Sequence, residues 1–389
     1  MSGPVLEFDK PIGILGGGQL GRMLGLAALN LGLRCRFMDQ SDDAVAAHVG
    51  ALHVDDFDRP QRLDDFVRGL SVASYEFENV PVALASKVAE RVPLYPGVLA
   101  LQTAQDRLSE KTLFRKLGIA TPEFRAANSL AELREAVATI GTPCVVKTRR
   151  MGYDGKGQAV LRSVADVDAA WVSLQGESSI LGGASGNGPA PLIVEAFVAF
   201  DTEVSVIAAR STTGQIVFYP LTENLHQGGI LRISRSPAIH PAVTPAIEQL
   251  AMEASRATLE ALEYVGVLAI EFFVCNGRLL ANEMAPRVHN SGHWTMNAGI
   301  TSQFENHLRA ITGMPLGNTR LLPSCSAGMV NLIGASPAFE RILALPGCHL
   351  HWYGKSPRPG RKVGHVNVLE VSAAQREATL AKLVSLIAS

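Results

Sequence analysis

The sequence predicts an α/β protein that opens with a parallel sheet, and three observations carry the prediction. Short apolar runs alternate with stretches of helical apolar spacing, one such run passes directly into a glycine-rich turn and a helix, and the strand pattern thickens after Pro122. The chain has 389 residues, 47% apolar and 18% charged, with a formal net charge of -1. At about 150 residues per domain this length allows two or three cores. The modest charge argues against a disordered chain. Its near-zero sum argues against nucleic-acid binding, because no summed positive field attracts a phosphate polymer. No apolar run reaches the roughly 18 residues of a membrane span, and the opening MSGPVLEFDK is acidic where a secretory leader is basic. Cys35, Cys144, Cys275, Cys325 and Cys348 are odd in number and form no CxxC, so no disulfide framework or zinc site is expected. A reducing cytoplasm fits.

Taken in order, Pro11 to Leu15 reads as a buried strand, Gly18 to Leu31 as a helix, and Arg34 to Met38 and Val72 to Tyr75 as further strands. A helix over Arg107 to Leu117 precedes Pro122, which no helix interior accommodates, placing a boundary there. Strands follow at Cys144 to Thr148, Leu192 to Val198, Glu203 to Ala209, Ile216 to Leu221, Val267 to Val274 and Arg278 to Met284. Helices cover Leu130 to Ile140, Val164 to Leu174 and Thr244 to Tyr264. The run 182–188, rich in glycine and lacking an apolar anchor, reads as a surface insertion. Beyond Leu316 come strands at Met329 to Ile333 and Val366 to Val371 and a helix at Ala373 to Ile387. The expected domains are 1–120, 121–315 and 316–389.

Five constellations carry chemistry. Gly16-Gly17-Gly18-Gln19-Leu20-Gly21 fits GxGxxG between strand and helix, with Asp39 near the distance expected of a ribose-binding acid. Its N–H groups could take a dinucleotide, an anionic substrate, or nothing beyond tight packing; the anionic substrate ranks first. A second cluster, Gly152-Tyr153-Asp154-Gly155-Lys156-Gly157-Gln158, lies between two strands and can wrap a polyphosphate. Lys147 ends the first of those strands, where an unpaired ammonium is costly and a phosphate partner would explain it. The third constellation is an acid pair on a hairpin, Glu271 and Glu283 around Cys275-Asn276-Gly277. A three-residue loop would set them diagonally on one face, within reach of a shared Mg²⁺, whereas a two-residue Asn-Gly turn would set them on opposite faces. The backbone edge of Leu192 to Val198 could read an adenine and Glu203 a ribose. Last, Arg287 to His293 forms a polar run beside the acids, and Lys355, Arg358, Arg361 and Lys362 a late basic patch suited to a small phosphate ester.

The order Lys147, glycine-rich loop, Glu195-Ala196-Phe197-Val198, Glu203, Glu271, Asn282-Glu283 resembles that of the ATP-grasp enzymes. Within that superfamily the stretches GGGQLGRM (16–23), YEFENVP (75–81), Gln105 to Arg107, GYDGKGQ (152–158), NEMAPRVHNSGHW (282–294) and HWYGKSPRPGRKVGH (351–365) closely resemble the N5-carboxyaminoimidazole ribonucleotide synthetases of purine biosynthesis. The resemblance implies a Rossmann-like N-terminal domain, a central ATP-grasp domain with a lid, and a small C-terminal domain. It implies carboxylation of 5-aminoimidazole ribonucleotide with bicarbonate and ATP, through carboxyphosphate, in a cytoplasmic homodimer.

Carried over residue by residue, it implies that Arg107, Lys147, Tyr153, Asp154, Gly155, Lys156, Gly157, Gln158, Glu195, Ala196, Phe197, Val198, Glu203, His226, Asn282 and Glu283 hold ATP. Glu271 and Glu283 would bind Mg²⁺. Gln19, Leu20, Glu76, Tyr153, Asp154, Arg287, His289, Asn290, Ser291, Lys355, Arg361 and Lys362 would hold the ribonucleotide. Asp154 and His289 would stand nearest the reacting amine, and Arg287 would polarise the carboxyphosphate. The competing expectations are a formate-dependent glycinamide ribonucleotide transformylase, which shares the ATP site, a nicotinamide-dependent oxidoreductase and a non-catalytic nucleotide-binding regulator.

Overall fold

The computed structural model describes residues 9–152, 155–180, 189–335 and 337–388. Four short strands, β1 (Ile12–Leu15), β2 (Cys35–Asp39), β3 (Ala51–Val54) and β4 (Val72–Tyr75), form a parallel sheet in the order β3-β2-β1-β4. β1 and β4 are wholly buried, as strands of a sheet covered on both faces are; β4 ends the strand order, with Ala73 bridging to Leu94 beyond it. Helix Gln19–Asn30 packs its apolar side between this sheet and helix Gln303–Ile311, so Ile12, Leu24 and Phe37 share one core with Ile207, Trp294 and Phe304.

A second sheet, β5 (Phe124–Ala127), β6 (Cys144–Thr148), β7 (Gln158–Leu161) and β8 (Leu192–Ala196), runs in the order β5-β8-β6-β7. Helix Leu130–Ile140 covers it, started by Ser129, whose side chain accepts the Glu132 N–H, and stopped by Gly141 at φ 85°. The third sheet has nine strands. They are β9 (Thr202–Arg210), β10 (Ile216–Phe218), β11 (Thr222–Gln227), β12 (Ile230–Ser236), β13 (Gly266–Cys275), β14 (Arg278–Ala285), β15 (Ser326–Ile333), β16 (Cys348–Trp352) and β17 (Lys362–Glu370). Their order is β14-β13-β9-β11-β12-β15-β17-β16, with β10 on β9, so strands from both sides of residue 315 share one sheet. Helix Pro245–Ala261 packs behind β9 and β13, and helix Ala373–Ala388 lies over β15 and β17. Among the described residues no helix is long and apolar enough to cross a membrane.

Two sequence expectations change here. β8 is a central strand, paired with β5 at Phe124↔Glu195 and with β6 at Val145↔Glu195, so it offers no free backbone edge before Phe197. The strand ends at Ala196, and Phe197 is 47% exposed. The glycine-rich run 182–188 lies outside the described residues.

Candidate active site

The three sheets meet at helix Arg107–Lys116, and the three residues that open it each reach a different part of the molecule. Gln105 Nε2 donates to the carbonyls of Glu78 and Val80 at 2.8 and 2.6 Å, fixing the loop after β4. Asp106 caps the helix by accepting the Leu108 N–H at 2.9 Å and also accepts from Arg149 Nε at 2.9 Å, beside the glycine-rich hairpin. Arg107 Nη1 donates to Glu283 Oε2 at 2.7 Å. Around this junction lies a cleft of about 730 Å³.

The acid pair forms by neither register considered from sequence. Cys275 pairs with Arg278, so the turn is the two-residue one, with Asn276 at φ 50° and Gly277 at φ 71° as a mirror-image turn requires. A β-bulge then shifts the register between Phe272↔Ala281 and Glu271↔Glu283. The extra residue, Asn282, returns both glutamates to one face, directly opposite each other. Among the described residues Asn282 Oδ1 is buried without a hydrogen-bond partner. Two carboxylates and an orphaned amide oxygen are the hard donors that Mg²⁺ takes alongside phosphates, so the residues fit that ion. Arg107 meanwhile holds Glu283 ionised: burial opposes the charge, but the guanidinium carries its pKa down to about 2. Burial raises the Glu271 pKa to about 7; His226 opposes the rise, and Glu283 and Glu203 add to it.

His289 Nε2 stands 3.6 Å from Glu271 Oε1. Its Nδ1 accepts the Ser291 N–H at 3.3 Å, which leaves the ring proton on Nε2, facing the acid. Burial, helped by Arg287 and Lys362, lowers its pKa to about 3, so the ring is neutral. Beneath it a buried chain of hydrogen bonds runs from Ser291 Oγ to Ser205 at 2.7 Å, Asn224 at 3.0 Å and Ser234 at 2.8 Å. Arg287 Nε donates to Glu78 of the first domain, which keeps both ionised against burial. Asn290 and Asn331 exchange hydrogen bonds at 3.0 and 2.7 Å.

The cleft gathers Gln19, Leu20, Glu76, Arg107, Lys156, Glu271, Glu283, Arg287, His289 and Asn290 with Lys355, Arg361 and Lys362, which the sequence separates by hundreds of residues. Ser291 lies just behind, and Lys355 Nζ donates to Gln19 Oε1. The remaining expected positions are not among the residues that line it: Gly155 lies against the Gly228–Gly229 turn, Gln158 pairs with Lys147, Phe197 and Val198 come after the end of β8, and Glu203 bonds to His226. Burial opposes the charge on His226, yet the Glu203 hydrogen bond and nearby acids raise its pKa to about 9. Tyr153 and Asp154 lie outside the described residues.

Two physical arguments made from sequence are corrected. Lys147 is not unpaired: its Nζ donates to Glu195 Oε2 at 3.0 Å, and Lys111 Nζ lies 3.2 Å from the same oxygen. Burial opposes the charge on Glu195, but the two lysines hold it down at about 2. The first glycine turn is also already filled. Gly17 N donates to Asp39 Oδ2 at 2.6 Å, Gly21 N to Glu76 Oε2 at 2.6 Å, and Gly18 N to Glu76 Oε1. The anion at this helix N-terminus is the protein's own, and Asp39 braces the turn rather than awaiting a ribose. A Cβ on Gly18 would lie 2.5 Å from Glu76 Oε1, which explains the glycine. Sequence reasoning missed Glu78, Glu110, Lys111 and Arg149; Glu78 and Gln105 lay within stretches whose motif was noticed but whose side chains were not assigned partners.

A small antiparallel sheet with a glycine-rich hairpin, set against a larger sheet that carries an acid pair, defines an ATP-grasp ligase. Residues 112–304 match the ATP-grasp domain model, 9–105 the ribonucleotide synthetase preATP-grasp domain, and 327–379 the phosphoribosylaminoimidazole carboxylase C-terminal domain. The chain is 44% identical to N5-carboxyaminoimidazole ribonucleotide synthase of Pseudomonas aeruginosa, over 97% of this chain and 99% of that one. It superposes on the N5-carboxyaminoimidazole ribonucleotide synthetase crystal structure from Thermus thermophilus with a TM-score of 0.88, at 48% identity, over 97% of this chain and 99% of that one. The Aspergillus clavatus enzyme, crystallised with ADP and 5-aminoimidazole ribonucleotide, gives 0.86 at 28% identity, over 98% and 99%. The chain belongs to the N5-carboxyaminoimidazole ribonucleotide synthase family.

Proposed function

We propose that this ligase carboxylates the exocyclic amine of 5-aminoimidazole ribonucleotide with bicarbonate and ATP, giving the N5-carboxy product, ADP and phosphate. The observation that carries this reading is the single cleft in which the Arg107–Glu283 and Glu271 cluster faces the basic run Lys355 to Lys362. One end suits a polyphosphate with its cation, the other a phosphate ester, and the space between suits a small heteroaromatic amine.

The reaction takes two steps. A bicarbonate oxygen attacks the γ-phosphorus, the bond to ADP breaks, and carboxyphosphate forms. The carboxyl carbon then passes to the amine, from carboxyphosphate directly or through CO₂ that it releases; phosphate leaves, and the amine loses a proton. Arg107 and Lys147 hold the phosphates, Lys156 and its glycine-rich neighbours cover them, and Phe197, Val198 and Glu203 hold adenine and ribose. Glu271, Glu283 and Asn282 would hold Mg²⁺, which would supply charge neutralisation to the phosphates. Arg287, pinned by Glu78, offers a fixed cation to the carboxyphosphate. His289, neutral by burial, has its hydrogen-bonding orientation fixed by Ser291 and stands ready beside the amine. Asp154 shares that role. The enclosure keeps water from the labile intermediate. The protein works as a homodimer in the cytoplasm.

ADP release with Mg²⁺·ATP tests the reading. Release is expected only when 5-aminoimidazole ribonucleotide and bicarbonate are both present. Turnover with glycinamide ribonucleotide and formate alone would move the chain to the transformylase reaction. Asp154→Ala or His289→Ala retaining wild-type turnover would remove that residue from the reacting amine.

A further inference from the structure

Two charged side chains beside the acid pair have no part in the steps above. Glu110 and Lys111 follow one another on helix Arg107–Lys116, and both are buried. They face β14 at the bulge. Glu110 Oε1 accepts the Met284 N–H, and Lys111 Nζ donates to the Asn282 carbonyl at 2.9 Å. A third bond, Ala281 N to the Ala120 carbonyl at 2.8 Å, comes from the segment after the same helix. β14 is the edge of the nine-stranded sheet, so its outward backbone groups have no strand to pair with. Three positions shortly before Ala285 thus find partners on one helix and its trailing loop, and those positions flank Glu283.

This matters because the register is not the default one. The two-residue turn, continued without a bulge, carries Glu283 to the face opposite Glu271. A bulge bends its strand and leaves one residue unpaired, so it persists only where the surroundings satisfy the displaced backbone. Burying an ammonium is costly unless it is paired with good geometry. Lys111 meets that condition through the bulge carbonyl and, at 3.2 Å, Glu195 Oε2, the oxygen that Lys147 also contacts.

We propose that Glu110 and Lys111 are positioning residues that hold the Asn282 bulge, keep Glu283 opposite Glu271, and tie that register through Glu195 to Lys147. The inference rests on the reading that the two glutamates hold the divalent cation. Lys111 joins two places that no continuous strand connects: the acid pair on the large sheet and the lysine on the small one.

The test is Mn²⁺ binding in the presence of ADP, followed by the free-ion electron paramagnetic resonance signal, together with amide hydrogen exchange over residues 279–286. Lys111→Met and Glu110→Leu are expected to weaken Mn²⁺ binding about 10-fold, as loss of a ligand's support does. They should speed exchange at Met284. Glu110→Gln, whose amide oxygen still accepts the Met284 N–H, restores most of the affinity lost in Glu110→Leu, a recovery that a merely structural role for the charge would not give. Wild-type affinity and exchange in both Lys111→Met and Glu110→Leu overturn the inference. Glu283→Gln separates the two failures. If it binds Mn²⁺ as wild type does, the metal reading of the pair falls, and the cation-positioning part of the inference falls with it. In that case faster exchange in Lys111→Met still supports the bulge support itself. Where Lys111→Met does not fold by circular dichroism, the Glu110 pair decides.

Discussion

The molecule contains two glycine-rich turns that look alike in sequence and differ in what holds their backbone N–H groups. In the first, residues 16–21, three N–H groups are taken by Asp39 and Glu76, so the glycines let protein carboxylates approach a helix start. In the second, residues 152–157, a carboxylate also meets a glycine. Gly157 N donates to Glu177 Oε2 at 2.8 Å, Thr148 Oγ1 is buried without a partner among the described residues, and Gly152 and Lys156 line the cleft. Both turns border the cleft, through Gly18 and Gln19 in the first and Gly152 and Lys156 in the second, but the first has its helix-start N–H groups taken by two protein acids. Glycine spacing reports how closely something approaches the backbone; only the neighbours decide whether that something is a ligand.

The contrast breaks if substitutions in the two turns act alike. The largest expected effect is in the second turn. Gly157 has φ 69°, and a Cβ there would lie 2.5 Å from Thr148 Oγ1. Gly157→Ala should therefore lower kcat/KM for ATP by about 100-fold through misplacement of the loop, with a thermal midpoint near wild type. A large fall in stability instead would make this turn structural.

Next comes the first turn. Glu76→Ala strands two N–H groups at a buried helix start, and stability should drop by about 2 kcal/mol in urea unfolding. An unchanged unfolding midpoint would mean the turn is not held by its own acid. A smaller effect is expected from Glu177→Gln. Removing the negative charge beside Gly157 should lower KM for ATP about 3-fold, because a carboxylate and a phosphate compete for one N–H.

The smallest effect is a difference in pH slope. Glu195 has its folded pKa lowered to about 2, so the stability it contributes is present above about pH 4.5 and is lost as pH falls toward 2. The penalty of Glu195→Gln should shrink across that window. Glu76 is shifted the other way, upward by burial, so its carboxylate is least favourable at neutral pH and the penalty of Glu76→Gln should grow as pH falls. Parallel slopes in thermal unfolding would erase the distinction.

Much of the fold was legible locally. β4 and helix Leu130–Ile140 fall where their patterns put them, because a buried apolar run and a Ser129-to-Gly141 capped amphipathic stretch need no distant partner to be recognised. β11, β12 and β16 were not read. Thr222–Gln227 buries Thr222 and Asn224 and exposes Leu225, so its apolar pattern is inverted, while β12 and β16 carry a period-two apolar pattern over only two or three positions. Helix Gln303–Ile311 escaped for a related reason: Gln303, Asn306 and His307 are buried on its inner side, and His307 is satisfied by Ser74 at 2.8 Å and the Val267 N–H at 3.2 Å. The site followed the same rule. The residue types around the cleft were visible as motifs, whereas Lys147–Glu195, Arg287–Glu78 and Glu110–Met284 join positions that no local pattern connects.

By itself the sequence determined that the chain turns at Asn276 and Gly277, because positive φ suits those residues, though it left the loop length open; it also determined that acids stand in apolar strands and that lysine precedes a glycine-rich hairpin. The tertiary structure decided which face Glu283 takes, which anion fills the first glycine turn, and which carboxylate meets Lys147. The physical reason is range. A dihedral preference acts within a residue or two, but a buried charge or a bulged carbonyl is stable only against whatever packing brings to it, and Lys111 reaches Asn282 across 171 positions of chain.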